Sequence, residues 1–254
     1  MKENLLKQSD FTVFLMTVGE SITFKALDLI KAHTKVDYDL VVWYDACGRG
    51  VNMPFYTQLL NYTDDVILVR KNKGITAAQN FAAMSLRTNY LVIACADNLV
   101  KEGYLGRLID PFLLIPNMAV SGESYREFKE DFVISDPDRG PDLVQMISHE
   151  AIEALGGFCN AFPIYGYDTL EFQRRAMKNG WHTAAVKNIC EHGGDQHEGR
   201  NLIEDYDKIM DHNGKQFTEA IKRNYAYNWW TKNIIGTDTV DAPIQKTVPL
   251  LNKS

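Results

Sequence analysis

The sequence predicts an α/β fold: a Rossmann-like, mostly parallel sheet flanked by helices and followed by a C-terminal helical extension. Three observations carry that reading. Strand-length apolar runs alternate with helix-length segments through residues 11–114, the order that builds parallel sheets with right-handed crossovers. The run Tyr90–Ala96 (YLVIACA) is apolar at consecutive positions, as a strand buried on both faces must be. It ends abruptly in Asp97-Asn98, which puts a carboxylate at the sheet edge where open α/β folds bind ligands. A helix cap is the competing reading of Asp97.

The chain has 254 residues, 45% hydrophobic and 24% charged, enough for a large core. It reads as one domain over residues 1–198 and a helical extension over 199–254 that packs on it. The formal net charge of -6 argues against a nucleic-acid surface, since such surfaces are basic. Cys47, Cys95, Cys159 and Cys190 are widely spaced with no CxxC, and read as reduced thiols of a cytoplasmic protein. The N-terminal MKENLLKQSD lacks the apolar core of a signal peptide. No apolar stretch is long enough to span a bilayer.

The elements follow in order. Phe11–Val18 is a strand. Ser21–His33 is a helix with Ile22, Ala26, Leu29 and Ile30 at helical spacing. Asp39–Tyr44 is a second strand ending at Asp45. Met53–Asn61 is helical, with Pro54 tolerated in the first turn. Asp65–Val69 is a short strand, Gly74–Arg87 an Ala-rich helix, and Glu102–Leu114 the helix after the Tyr90–Ala96 strand. In the second half, Met118–Ser121 reads as a strand and the polar stretch Gly122–Pro141 as a mobile loop. Leu143–Ile147 is a strand, and Ser148 opens a helix that stops at Gly156-Gly157. Tyr167–Asn179 is a helix closed by Gly180. Thr183–Ile189 is a strand that runs into Cys190–Gly194. Asn201–Trp230 is mostly helical, broken near Asn213-Gly214.

Several short segments carry more than structure. They are Asn72-Lys73-Gly74 with Ala77, Ala78 and Asn80; Cys95-Ala96-Asp97; Leu155-Gly156-Gly157-Phe158; Gly166-Tyr167-Asp168-Thr169-Leu170-Glu171; and His192-Gly193-Gly194. In this order they resemble the family 2 glycosyltransferases of GT-A fold, matching in turn that family's N-x-G … A-x-N stretch, D-x-D, GGF, G-x-E-D-x-D and late H-x-G motifs. The resemblance spans residues 10–195. Residues 200–254 match no family feature.

The resemblance implies an inverting glycosyltransferase that moves a sugar from a nucleotide sugar, UDP-linked by preference, to a hydroxyl of a glycan or other acceptor. Such a transfer needs charge stabilisation for the leaving diphosphate and a base for the acceptor proton. Asp97 and His192 are the implied ligands of Mn²⁺ or Mg²⁺, an oxygen and a nitrogen donor that suit these ions. Cys95 departs from the family by replacing the first Asp of D-x-D, and reads as a packed small residue rather than a soft ligand. Asn98 is placed to add a polar contact. Asp168 is the implied base, with Glu171 on the same helix face in reserve. Thr169 is the second departure, standing where the family carries a carboxylate. An N-terminal helix carboxylate held by the helix dipole is the alternative reading of Asp168.

Nucleotide recognition is expected from the first half. Thr17 and Gly19, in the loop Thr17–Glu20, match the segment that wraps the base, and Asp45 matches the Asp that bonds it. A plain turn residue is the other reading of Asp45. Lys73 is a phosphate ligand or a solvated surface lysine. Gly74 lets the backbone approach the ligand, and Asn80 completes the set. Gly48-Arg49-Gly50 is no dinucleotide fingerprint, because no helix opens after it with a third Gly. Phe158, Phe162, Tyr165 and Tyr167 are candidate platforms for the acceptor sugar, with core packing favoured for Phe158. The stretch Gly122–Pro141 is a candidate lid. His149, His182 and His197 show no partner pattern. Tyr225, Tyr227, Trp229 and Trp230, with Lys222, Arg223 and Lys232, are read as packing on the sheet domain, with peripheral contact to a membrane surface or to a partner chain left open. A second copy of this chain is a further candidate partner.

Two other classes compete. A GT-A domain that binds nucleotide or glycan without catalysis is kept open by Cys95 and Thr169. A nucleotidyltransferase of similar topology ranks last, because the loop after the first strand, Thr17–Ser21, contains neither Lys nor Arg.

Overall fold

A computed structural model describes residues 10–47, 50–71, 73–124, 127–135, 140–159, 161–162, 166–193 and 205–222. Asn72, Tyr165, Gly194, His197, the Gly48-Arg49 pair and the aromatic cluster Tyr225–Trp230 lie outside the described residues.

Seven strands alternate with helices as the sequence pattern requires, and an eighth joins the same sheet from the polar stretch. β1 (Phe11–Thr17) is followed by α1 (Thr23–His33), β2 (Asp39–Asp45), α2 (Met53–Leu59), β3 (Val66–Val69), α3 (Gly74–Ser85) and β4 (Tyr90–Cys95). Then come β5 (Asn98–Val100), α4 (Tyr104–Leu114), β6 (Met118–Glu123), β7 (Phe132–Ile134) and β8 (Gln145–Ser148). α5 (His149–Leu155), α6 (Asp168–Lys178), β9 (His182–Val186), β10 (Cys190–His192) and α7 (Tyr206–Lys222) complete the order. The main sheet has eight strands in the order β3-β2-β1-β4-β8-β6-β9-β7, and β5 and β10 pair separately. β3, β2, β1 and β4 are mutually parallel, as are β6 and β9, while β8 and β7 run antiparallel to their neighbours.

The continuous apolar strands are explained by burial on both faces. Along β1, Val13 and Leu15 face one core with Ala26, Leu27, Ile30, Leu59 and Leu108, bringing α1, α2 and α4 to that side. Phe14 and Met16 face the other with Ala78, Ala82, Ile152 and Phe172, bringing α3, α5 and α6 there. Because β1, β2 and β4 are parallel, the segments that follow Thr17, Asp45 and Cys95 emerge at one edge of the sheet, the edge that open α/β folds use for ligands.

Three expectations are corrected. The stretch Gly122–Pro141 is not one loop: β6 runs through Gly122 to Glu123, and Phe132–Ile134 adds a strand at the edge of the sheet against β9. Its polar composition hid that strand, because an edge strand is covered on fewer sides and needs no continuous apolar run. The residues after Asp97 form the short strand β5 and not the first turn of a helix, so the capping reading of Asp97 fails. Finally, α7 continues through Asn213-Gly214 without a break. Asn213 is fully buried and Tyr167 lies over Gly214, so tertiary packing holds the helix where propensity alone would interrupt it.

Ser148 joins sheet and helix as its sequence position suggests. Its Oγ accepts the N–H of Ala151 as the cap of α5 and also donates to the carbonyl of Met118, both at 3.2 Å. Ser148→Ala is therefore expected to cost about 1–2 kcal/mol, the loss of a cap with a buried carbonyl left unpaired. Urea unfolding of the two proteins measures it, and equal midpoints would show that the junction does not depend on this hydroxyl.

Candidate active site

The site assembles at the C-terminal edge of β1, β2 and β4. After β4, Asp97 projects from the turn into β5. The Asn98 side chain holds that turn at both ends, accepting the Cys95 N–H at 3.0 Å and donating to Asp97 Oδ1 at 3.1 Å. β5 pairs antiparallel with β10 in a register that sets His192 opposite Asn98. His192 Nε2 thereby comes to 3.2 Å from Asp97 Oδ2, and the Gly193 N–H donates to the Asp97 carbonyl at 2.7 Å. A side chain at 193 would not fit: a Cβ there would stand 2.4 Å from Leu99 and 2.8 Å from Ile22.

The loop after β1 adds a carboxylate that residue reading passed over. Glu20 Oε2 accepts from the Thr17 hydroxyl at 2.6 Å and from the Val18 N–H at 2.8 Å. Thr17 also meets Thr23 at 2.8 Å and accepts the Gly19 N–H at 2.9 Å, so its hydroxyl is committed to shaping the loop. Gly19 holds φ +95° and packs on the Tyr44 ring, a conformation glycine takes without strain. Burial, then the nearby Asp97 charge, raises the Glu20 carboxyl above its ordinary range, against the pull of its hydrogen bonds. Asp45, at the end of β2, is buried and ties two loops together: Oδ1 accepts the Cys47 N–H at 2.8 Å and Oδ2 the Lys73 N–H at 3.0 Å. Lys73 and Gly74 thus sit at the start of α3 with the backbone anchored to β2, and Gly74 has φ +78°.

Asp168 opens α6 after a turn in which Gly166 and Tyr167 both have positive φ, 90° and 68°. Its carboxylate is 4% exposed. The Gln79 side chain of α3 and the backbone N–H groups at Gly166, Asp168 and Thr169 stand beside it. Burial raises its pKa and those four groups restrain the rise. Gln79 comes from α3 and is itself buried, with its Oε1 lacking a hydrogen-bond partner among the described residues. The sequence signal for Gln79 is a polar residue on the buried face of an Ala-rich helix. For Glu20 it is membership of the loop already singled out.

Cys95 stands between the two halves of the site. Burial, followed by the charges of Asp97, Glu20 and Asp168, pushes its thiol well above the ordinary range.

Glu171 shares the buried face of α6 with Asp168, as their spacing predicts, but its carboxylate is engaged elsewhere. It is fully buried in a two-point ion pair, Oε1 to Arg175 Nε at 2.8 Å and Oε2 to Nη2 at 3.2 Å. Arg175 also donates to the carbonyls of Leu155 and Gly157, so the pair locks α6 to the end of α5. Asn80 does similar work from α3. Its amide gives one hydrogen bond to the Phe158 carbonyl at 2.9 Å and takes one from the Phe158 N–H at 2.7 Å. Phe158 and Phe162 have no exposed surface. The reading of Phe162 as a sugar platform is corrected: it packs on Tyr167 and, through Phe217, holds α7.

For a divalent cation the site supplies one carboxylate and one imidazole, with 34% and 20% of the Asp97 and His192 side chains exposed. Oxygen and nitrogen donors of this kind fit Mn²⁺ or Mg²⁺. Among the described residues no three His, Cys, Asp or Glu side chains converge to hold a metal by themselves. A cation here would complete its shell with phosphate and water oxygens, the usual arrangement for Mg²⁺-type sites.

No protein-family profile matches the chain, and no curated protein matches it in sequence. Solved structures do match in fold. One is the mannosyltransferase PcManGT from Pyrobaculum calidifontis in complex with GDP-Man and Mn²⁺ (TM-score 0.57, 15% identity, covering 77% of this chain and 60% of that one). A second is GalNAc-T7 with UDP, GalNAc and Mn²⁺ (TM-score 0.56, 12% identity, 71% of this chain and 43% of that one). A third is S. aureus TarS 1-349 in complex with UDP-GlcNAc (TM-score 0.55, 12% identity, 79% of this chain and 64% of that one). This chain spans less than two thirds of each of these solved chains. The protein has the GT-A fold of the glycosyltransferases. Among the described residues no helix is long and apolar enough to cross a membrane.

Burial raises the Glu171 carboxyl to about 7 even with Arg175 beside it. Removing the partner by Arg175→Met leaves that carboxylate buried and uncompensated, at an expected cost of about 3–5 kcal/mol near pH 8. A raised folded pKa means that the native state binds the proton more tightly than the unfolded chain, so stability falls as pH rises. The penalty in the variant shrinks at pH 5, where Glu171 is neutral. Urea unfolding at both pH values tests this, and a pH-independent penalty would contradict it.

Proposed function

We propose that this protein is an inverting, metal-assisted glycosyltransferase that moves a sugar from a nucleotide sugar, UDP-linked by preference, to a hydroxyl of a glycan or similar acceptor. The observation that carries the proposal is the approach of Asp97 and His192 at the end of β4, with the buried Asp168 sharing the same Cys95 neighbourhood. The GT-A fold supports it, and the structural neighbours are described with nucleotide sugars or nucleotides, two of them with Mn²⁺.

In this reading Asp97 and His192 hold Mn²⁺ or Mg²⁺, which would supply Lewis-acid stabilisation of the departing diphosphate. Thr17, Gly19 and Asp45 shape the nucleoside end of the donor site, with Lys73 and Gly74 at the phosphates. Asn80 acts through the α3–Phe158 clamp rather than by direct contact. An acceptor hydroxyl attacks the anomeric carbon as the bond to the diphosphate oxygen breaks, and the bonding pair leaves with the diphosphate. The hydroxyl proton passes to the Asp168 carboxylate. The Glu171–Arg175 pair supports the helix that carries Asp168 and leaves Asp168 as the base. α7 packs on the domain through Phe217 against Phe162, as expected of the start of an extension. A cytoplasmic setting fits the four free thiols.

A domain that binds nucleotide or glycan without turnover is the second reading. It is favoured by one observation, the burial of Asp168, 4% exposed, at the start of α6.

Two experiments test these readings. UDP-sugars and GDP-sugars at 100 times their dissociation constant, with Mn²⁺, are expected to stabilise the protein by about 2.7 kcal/mol in thermal unfolding. No shift with any nucleotide sugar would sink both readings. Asp168→Asn is expected to lower kcat by about 10²- to 10⁴-fold, the usual contribution of a general base. In the parent, activity should fall on acidification at a pH above the ordinary carboxylate range, since the base must be ionised. An active parent matched by an equally active variant would remove Asp168 from the mechanism.

A further inference from the structure

We propose that Glu123 is a positioning residue for the cation site, setting the turn between β9 and β10 and through it the place of His192. The proposal rests on the glycosyltransferase reading above. Glu123 ends β6, and its carboxylate accepts three successive backbone N–H groups: Asn188 at 2.9 Å on Oε1, and Ile189 at 2.5 Å and Cys190 at 3.2 Å on Oε2. Consecutive amides turned the same way form a concavity that attracts an anion. Asn188, at φ +57°, supplies the left-handed kink that aligns them. On the carbonyl side of the same turn, Arg107 Nη1 donates to the oxygens of Lys187 and Asn188, both at 3.2 Å. The turn is thus gripped by an anion on its N–H side and a cation on its C=O side.

The grip acts at a short lever. Cys190, whose amide Glu123 holds, is the first residue of β10, and His192 is the last. Over those three residues β10 pairs with β5 and delivers the imidazole to Asp97. Loosening the turn frees the start of β10, and the shift is passed to the imidazole before it reaches any other part of the site. Glutamine at 123 would keep the shape but not the function, because its NH₂ would face backbone N–H groups at one of the two positions.

Groups that orient a metal ligand typically change metal affinity by about 10- to 100-fold when altered. The full chain is titrated with Mn²⁺ in the presence of UDP, with free Mn²⁺ followed by electron paramagnetic resonance. Glu123→Gln is expected to weaken Mn²⁺ binding about tenfold or more. It should raise the Mn²⁺ needed for half-maximal activity by the same factor, while kcat at saturating Mn²⁺ is kept. Glu191→Gln, on the same strand and in an exposed pair with Lys101, should leave Mn²⁺ binding unchanged. Unchanged affinity in Glu123→Gln, or an equal loss in Glu191→Gln, overturns the proposal. If Glu123→Gln does not fold, Arg107→Gln must weaken Mn²⁺ binding in the same direction, and unchanged affinity there overturns it. A parent that binds no Mn²⁺ with UDP brings down the glycosyltransferase reading and this inference together. A parent that binds while Glu123→Gln matches it brings down the inference alone.

Discussion

The pairing of β5 with β10 is the interaction on which the site depends. It brings together two segments 90 to 94 positions apart in the chain, and it leaves His192 beside Asp97 with a backbone bond from Gly193 to the Asp97 carbonyl. Neither strand is long enough to persist alone, since isolated two-stranded ribbons are marginal in water. The pair is stable because the large sheet has already fixed its ends: β4 leads directly into β5, and β9 leads through the Glu123-bound turn into β10. Leu99 and Val100 in turn face the core beneath α1 and α4.

Around that pair the fold concentrates negative charge. The charges of Asp97, Glu20 and Asp168 add to burial in raising the Cys95 thiol, and that of Asp97 adds to burial in raising Glu20. Clustered carboxylates of this kind cost stability and recur where a protein binds cations or moves protons. The structure offsets the cost with hydrogen bonds to its own loops. Glu20 holds the loop after β1, and Asp45 holds the approach to α3. Each carboxylate therefore shapes the backbone as well as the field, and a neutral replacement changes both.

The buried arginine on α6 has a different task. Arg175 binds Glu171 and two carbonyls from the end of the neighbouring helix, a planar, multidentate fit suited to a guanidinium. With the Asn80 clamp on Phe158 it fixes α6 against α3 and α5. This is the reason that Gln79, on α3, can meet Asp168, on α6. Glu171, held in reserve as a base, forms an ion pair within the support beneath Asp168.

Much of this was legible in residue order. Strand and helix alternation placed β1 to β4 and their helices, Ser148 and Gly180 marked helix ends, and the terminal Asp97 and the Gly166-Tyr167 turn before Asp168 marked the ligand edge. Those features are local: periodicity, caps and turn residues act within a few positions of the chain. The sequence also carried the i,i+4 spacing of Glu171 and Arg175, but not its meaning, because a surface pair and a buried pair have the same spacing. Tertiary structure decided the rest. It turned a polar stretch into an edge strand, kept α7 whole through Asn213-Gly214, buried Phe162, and set Glu123 on the turn that leads into β10. Each of those outcomes depends on which distant groups share a low-dielectric space. That space exists only once the sheet has closed over both of its faces.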